Sequence, residues 1–195
     1  MSAGDAQQVW LIRHAETEWT VSKQHTGLTD IPLIDEGRSR ARELAPLLAA
    51  HSFSLVLSSP LSRAVETASL AGLGEHAELR DDLLEWDYGS YEGVTTADIR
   101  EQEPDWYLWR DGAPGGETPA AVAARTDRVI AEALAADGDV ALFGHGHILR
   151  AVGARWLEQD VSFGGRLALS TGAVCVLGFE REVRVLWGWN DAGRG

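Results

Sequence analysis

The chain has 195 residues, 45% apolar and 24% charged, a composition that fits one globular domain long enough to bury a full core. Its net charge of −13 argues against nucleic acid and anionic membrane surfaces as partners, because both would be repelled. The first eight residues are polar and no apolar run approaches a membrane span, so a soluble, cytoplasmic protein is the expectation.

In chain order, the apolar run Val9-Trp10-Leu11-Ile12 reads as a strand that ends in Arg13-His14. In open α/β sheets the carboxyl ends of strands bind ligands, so a cation and an imidazole stand at the ligand-facing edge. After a polar loop at 25–32, residues 35–51 place Ala41, Leu44, Ala45, Leu47 and Leu48 on one face and predict a single amphipathic helix. A second strand at 53–58 leads through Ser59-Pro60 to a helix capped by Ser62 and running to about 70. Arg63 then falls in a first helical turn, where free backbone N–H groups favour anions.

Residues 87–116, rich in Gly, Trp, Tyr and acidic side chains, read as an insertion over the sheet edge that acts as a mobile lid, with a short helix near 96–102. Thr118-Pro119 is a cap followed by proline at the first helical position, opening a helix to about 136. A strand at 140–143 enters Gly144-His145-Gly146-His147 and a helix at 148–157, and the runs 173–179 and 183–189 predict a hairpin. Cys175, within the first of these runs, reads as a small buried hydrophobe. The alternation predicts an α/β fold in one domain, 1–195.

Each motif taken alone is weak. A histidine after a strand is usually structural, Gly144-His145-Gly146 can be a tight turn, and Arg63 can be a solvated helix-start arginine. Their order, each after a predicted strand, brings two cations and two imidazoles to one sheet edge. A metal site built from His145, His147 and Asp87 is the chemical competitor, and two arginines in the same pocket argue against it.

The combined motifs resemble the histidine phosphatase superfamily, phosphoglycerate mutase-like branch, over about residues 8–171. The resemblance implies a three-layer sandwich with a central, mostly parallel sheet flanked by helices. It also implies His14 as a nucleophile that becomes phosphorylated, Arg13, Arg63 and His145 as phosphate-holding groups, and Glu85 as general acid. Glu85 lies in Leu83-Leu84-Glu85-Trp86-Asp87-Tyr88-Gly89, similar to the family's acid-bearing segment, in which Glu92 and Gly93 are structural. The expected substrate contacts are Arg13, Thr20, Thr26, Gly27, Arg63, Glu85, Tyr88, His145 and Gly146. Thr20 stands where many relatives carry asparagine, and Ile34 where a capping threonine is common, so Asp35 is expected to cap instead. His147 reads as structural, and Tyr88, Trp106 and Trp109 as ring-stacking contacts or lid core.

The segment 85–93 followed by Glu103-Pro104-Asp105-Trp106 resembles small bacterial broad-specificity acid phosphatases, whereas Thr26-Gly27-Leu28-Thr29-Asp30 also resembles the sugar-bisphosphatase branch. Mutase activity is disfavoured, because Thr95 to Gly116 offers just Arg100 and Arg110 to grip a carboxylate. A non-catalytic phospholigand binder needs neither nucleophile nor proton donor, so the presence of both His14 and Glu85 speaks against it. The expected partner is a small phosphorylated metabolite, with no metal and no cofactor; a homodimer is left open.

Overall fold

The computed structural model describes residues 7–192; the polar residues before position 7 lie outside that range. Strands β1 (Val9–Arg13), β2 (Leu55–Ser58), β3 (Ala77–Leu79), β4 (Val140–Gly144), β5 (Val174–Glu180) and β6 (Val183–Asp191) form one sheet in the order β3-β2-β4-β1-β5-β6. The first four in that order run parallel, and β5 and β6 add antiparallel at one edge. The helices are α1 (Glu18–Ser22), α2 (Asp35–Glu43), α3 (Ala45–Ala49), α4 (Ser62–Leu70), α5 (Thr96–Gln102), α6 (Leu108–Asp111), α7 (Pro119–Leu134) and α8 (Gly146–Trp156).

The period-two alternation of β1 sorts the helices into layers. Val9 and Leu11 join the core that contains Val129 and Ile130 of α7 and Leu149 and Val152 of α8. Trp10 and Ile12 face the opposite core, with Leu44, Leu48 and Ala68. The result is the expected three-layer α/β arrangement. Residues 87–116 contribute Tyr88, Ile99, Trp106, Leu108, Trp109 and Ala113 to the α7–α8 core. They also meet the loop after β1, where His25 N donates to Val94 O at 3.0 Å.

Several elements differ from expectation for identifiable reasons. The helix expected at 35–51 is two helices, broken at Leu44. Pro46 has no N–H for the Arg42 carbonyl and its ring crowds that carbonyl, so Leu44 N turns to Ala41 O instead, at 3.3 Å. Asp35 does not cap α2. Ile34 holds the cap position without a side-chain bond, and Asp35 pairs with Arg38 at 3.1 Å. Nor does Ser62 cap α4. The carboxylate of Asp30 accepts from Ser62 N at 2.9 Å and from Ser62 Oγ at 2.8 Å. The anion favoured at this helix start is thus a side chain of the protein. β2 begins at Leu55 and not at Phe53. α8 begins at Gly146, two residues before the expected start, which frees the N–H groups of His147 and Ile148 for another partner. α1, β3 and α6 were not foreseen. Thr118 caps α7 as expected, accepting from Ala121 N at 3.2 Å.

Candidate active site

Arg13 lies opposite Gly144 in the parallel β1–β4 register, so the residues following each strand, His14 and His145, come together. Their ring centroids are 5.1 Å apart. His14 Nδ1 lies 2.7 Å from Ala15 O. A carbonyl can accept and cannot donate, so Nδ1 carries the hydrogen and Nε2 keeps its lone pair. Burial, aided by the charges of Arg13 and Arg63, holds the His14 imidazole well below its usual range. The ring is therefore neutral and nucleophilic at Nε2.

Arg63 is 0% exposed. Its Nε donates to His145 Nδ1 at 3.0 Å, Nη1 to Thr29 O at 2.9 Å and Nη2 to Gly27 O at 2.8 Å. Because His145 Nδ1 accepts, its proton resides on Nε2, which donates to Ser59 Oγ at 2.7 Å. Burial and the Arg63 charge push His145 well down as well. Arg13 donates from Nη1 to Leu169 O at 2.5 Å, while its buried Nε has no acceptor among the described residues. Leaving a buried charged donor unpaired is costly, so this guanidinium suits an incoming anion. Gly146 makes room for it, since a Cβ there would lie 3.2 Å from Arg13 Cζ.

Glu85 is anchored at the start of α8. Its Oε1 accepts from Trp86 N at 3.0 Å and Ile148 N at 2.9 Å, and its Oε2 accepts from His147 N at 2.9 Å. Burial pushes the Glu85 carboxyl up, but hydrogen bonding, first with His147, outweighs it and holds it well below the usual carboxylate range. The imidazoles of His145 and His147 are themselves pushed down by burial and are neutral. The three backbone donors and the helix start therefore do most to keep Glu85 ionised. Arg125 of α7 clamps the segment from behind, donating to Asp82 O at 2.9 Å, Leu84 O at 2.6 Å and Glu85 O at 3.1 Å, and pairing with Glu117 at 2.8 Å.

A cavity of about 250 Å³ brings together Arg13, His14, Thr20, Thr26, Glu85 and Tyr88 of the expected residues. Arg63 and His145 are fully buried and do not line it; they are bonded to each other, and the His145 ring lies against that of His14. Gly27 does not line it either. Gly27 N donates to Glu92 Oε1 at 2.8 Å, and a Cβ at Gly27 would sit 2.5 Å from Glu92 Oε2, so the glycine lets Glu92 hold the loop that cradles Arg63. Thr20 closes a capping box with Thr17, its hydroxyl accepting from Thr17 N at 2.9 Å and donating to Thr17 O at 2.8 Å. Asp87 accepts from Gly89 N at 2.9 Å and lines no part of the cavity. With His145 bonded at both nitrogens and His147 Nδ1 2.6 Å from the Tyr88 hydroxyl, the trio considered for a metal does not converge. No cluster of three or more metal-ligating side chains occurs among the described residues. Among the same residues, no helix is long and apolar enough to cross a membrane.

Four wall residues were not foreseen: Trp19, Lys23, Gln24 and His25. His147, read as structural from the sequence, also lines the cavity. Burial, then His147, pushes His25 down to about 4.

Two parallel strands that present a neutral histidine beside a guanidinium, with a carboxylate across the cavity, define a phosphoryl-transfer site. The chain matches the profile of the histidine phosphatase superfamily (branch 1) over residues 9–192 and belongs to that family. It is a phosphatase. It is 44% identical over 180 residues to an acid phosphatase of Mycobacterium tuberculosis, covering 90% of this chain and 88% of the relative. It is 33% identical to the sedoheptulose 1,7-bisphosphatase of Saccharomyces cerevisiae, over 77% of this chain and 68% of that one. Among solved structures, an open reading frame product of Mycobacterium tuberculosis superposes with a TM-score of 0.92 at 41% identity, over 96% of this chain and 99% of the other. A mycobacterial glucosyl-3-phosphoglycerate phosphatase complexed with VO3 gives 0.85 at 30% identity, over 95% and 100% of the two chains.

Proposed function

We propose that the chain hydrolyses small phosphorylated metabolites by in-line attack of His14 Nε2 on phosphorus, through a phosphohistidine. The observation that carries this reading is the bond from His14 Nδ1–H to Ala15 O, which leaves a lone pair on Nε2 of a neutral ring beside Arg13. As the N–P bond forms, positive charge develops on the imidazole and the Ala15 carbonyl meets it. Arg13 offsets the charge of the phosphoryl oxygens, which would otherwise repel the nucleophile. The buried Arg63–His145 pair adds positive potential from beneath.

The leaving alkoxide needs a proton, and Glu85 is ionised in the empty site. The second ionisation of a phosphate monoester lies at about 6, so a mildly acidic medium delivers a monoanion that carries its own proton. Glu85 takes that proton and passes it to the leaving oxygen as the P–O bond breaks. In the second step Glu85 takes a proton from water, whose oxygen displaces His14 from phosphorus, and the proton leaves with inorganic phosphate. This fits the activity named for the mycobacterial acid phosphatase, and we place the reaction in the cytoplasm, with metabolites as substrates.

His14→Ala should remove essentially all turnover of p-nitrophenyl phosphate. Quenching the parent with labelled substrate should trap an acid-labile, base-stable phosphoenzyme. Label on serine or aspartate, or an active variant, would assign the nucleophile elsewhere.

A further inference from the structure

We propose that Tyr88 and His147 act on Glu85 as a positioning pair: the Tyr88 phenol occupies the imidazole nitrogen nearest the carboxylate, and so bars a cation from forming beside it. The proposal rests on the phosphatase reading above, in which Glu85 gains and loses a proton in each half of the turnover.

His147 meets Glu85 in two ways. Its backbone N–H donates to Glu85 Oε2 at 2.9 Å, while its ring Nδ1 stands 3.8 Å from the same oxygen. An imidazolium at that distance would hold the carboxylate in a fixed ion pair, the more firmly because the site is buried. Glu85 would then resist the proton that both half-reactions require it to carry.

Tyr88 works against this. Its hydroxyl lies 2.6 Å from His147 Nδ1 and has no other hydrogen-bond partner among the described residues. Burial pushes the phenol well up, so the hydroxyl keeps its hydrogen and needs an acceptor. Nδ1 is that acceptor, which puts the ring proton of His147 on Nε2. A second proton can reach Nδ1 only after the phenol is displaced. Packing holds both rings in place. Tyr88 is buried with its ring centroid 4.6 Å from that of His25, and the His147 ring lies 5.5 Å from that of Trp109.

The groups that face the His147 ring divide by sign. Glu85 draws a proton to it, whereas burial, Arg150 on the same helix and Arg13 at the end of β1 oppose one. His25, 6.1 Å away, is itself kept neutral by burial. His14, Lys23, Arg100 and Tyr107 line the two cavities that the ring borders. Glu85 is the one anion in this set, and Tyr88 takes the nitrogen through which it would act. The second histidine of Gly144-His145-Gly146-His147 thus has a task besides packing: its backbone fixes Glu85, and its ring is kept from charging.

The test follows glycerol 3-phosphate turnover from pH 7.5 to 5.0 in the parent, in Tyr88→Phe, and in Tyr88→Phe combined with His147→Asn. The second substitution keeps the backbone donor to Glu85 and removes the titrating ring. The ratio of parent to Tyr88→Phe rates should widen as pH falls, by roughly three- to tenfold, the equilibrium worth of one hydrogen bond. The double variant should return a profile parallel to the parent's, whatever its absolute rate. Nuclear magnetic resonance should show the His147 ring titrating at higher pH in Tyr88→Phe than in the parent, a readout that needs no turnover. In the parent the same spectra should place the ring proton on Nε2, and a proton on Nδ1 overturns the pair even if Tyr88→Phe folds poorly. A ratio constant with pH, a widening that persists in the double variant, or an unmoved ring titration also overturns the pair, and each leaves the phosphatase reading standing. No turnover of any ester by the parent, p-nitrophenyl phosphate included, overturns that reading and the role of the pair with it.

Discussion

Acidification from pH 7.5 to 5.5 should destabilise the fold by about 4 kcal/mol. His14, His25 and His145 are all pushed down by burial, His25 to about 4 and the other two well below their usual range. An imidazole pushed down in the fold binds fewer protons there than in the unfolded chain, so acid draws the equilibrium toward unfolding. The effect is nearly absent above about pH 7 and grows as pH falls through the ordinary histidine value near 6.5. At pH 5.5 an unfolded histidine is about 90% protonated, which costs the fold about 1.4 kcal/mol for each one kept neutral. Three such groups give about 4 kcal/mol, and His147, lowered as well, adds in the same direction. Below the ordinary carboxylate range Glu85 joins them, since its depressed carboxyl loses its contribution as pH falls through the folded value. Urea titrations followed by far-UV circular dichroism at half-unit steps of pH would measure the slope, with a constant m-value as the check on two-state unfolding. His25→Gln should remove about a third of the three-histidine slope. A profile that is flat or rises toward pH 5.5 would show that these histidines are protonated in the fold, and the neutral nucleophile with them would be wrong.

Glu85→Gln places an amide NH2 against one of the backbone N–H groups that the carboxylate now satisfies, costing about 1–3 kcal/mol of stability. It should also lose roughly 10²–10⁴ in the first-turnover burst with alkyl phosphates, and far less with p-nitrophenyl phosphate; equal burst losses would point to another acid. Arg63→Ala should lose on the order of 10²–10³ in rate and weaken inhibition by vanadate, and near-normal values of both would place Arg63 outside the electrostatics of the site. Arg125→Met leaves three backbone carbonyls without their donor and the Glu117 carboxylate with Asp87 N alone of these partners, so a fall of about 2–4 kcal/mol in unfolding free energy is expected from urea midpoints. Dialysis against a chelator should leave the rate unchanged, and a loss restored by Zn²⁺ or Mg²⁺ would refute the metal-free mechanism.

The strand-end placement of Arg13, His14 and His145 was legible because each follows a short apolar run directly, and the sheet then does the gathering. Glu85 was placed by resemblance; its capping of α8 depends on a loop meeting a helix 62 residues later. Separation in sequence also hid the Asp30 cap on Ser62, which spans 32 residues. α1 escaped notice because its capping box uses Thr20 where the usual pattern has Glu or Gln, and with it went Lys23 and His25. β3 has three residues, too few to show alternation. The break at Leu44 is announced in the sequence by Pro46.

β1 sits between β4 and β5, and both of its neighbours come from the last third of the chain, Val9 pairing with Val140 on one side and Leu177 on the other. The strand that leads into His14 is therefore made before the strands that shelter it. At ribosomal speeds of about 5–20 residues per second, it emerges on the order of ten seconds or more before its partners exist. During that interval Val9-Trp10-Leu11-Ile12 has two open edges and no core to join, the state most exposed to mispairing. A chain with its carboxyl-terminal hairpin removed would leave one of those edges open for good, so truncation at that end is a lesion of the strand that positions Arg13 and His14.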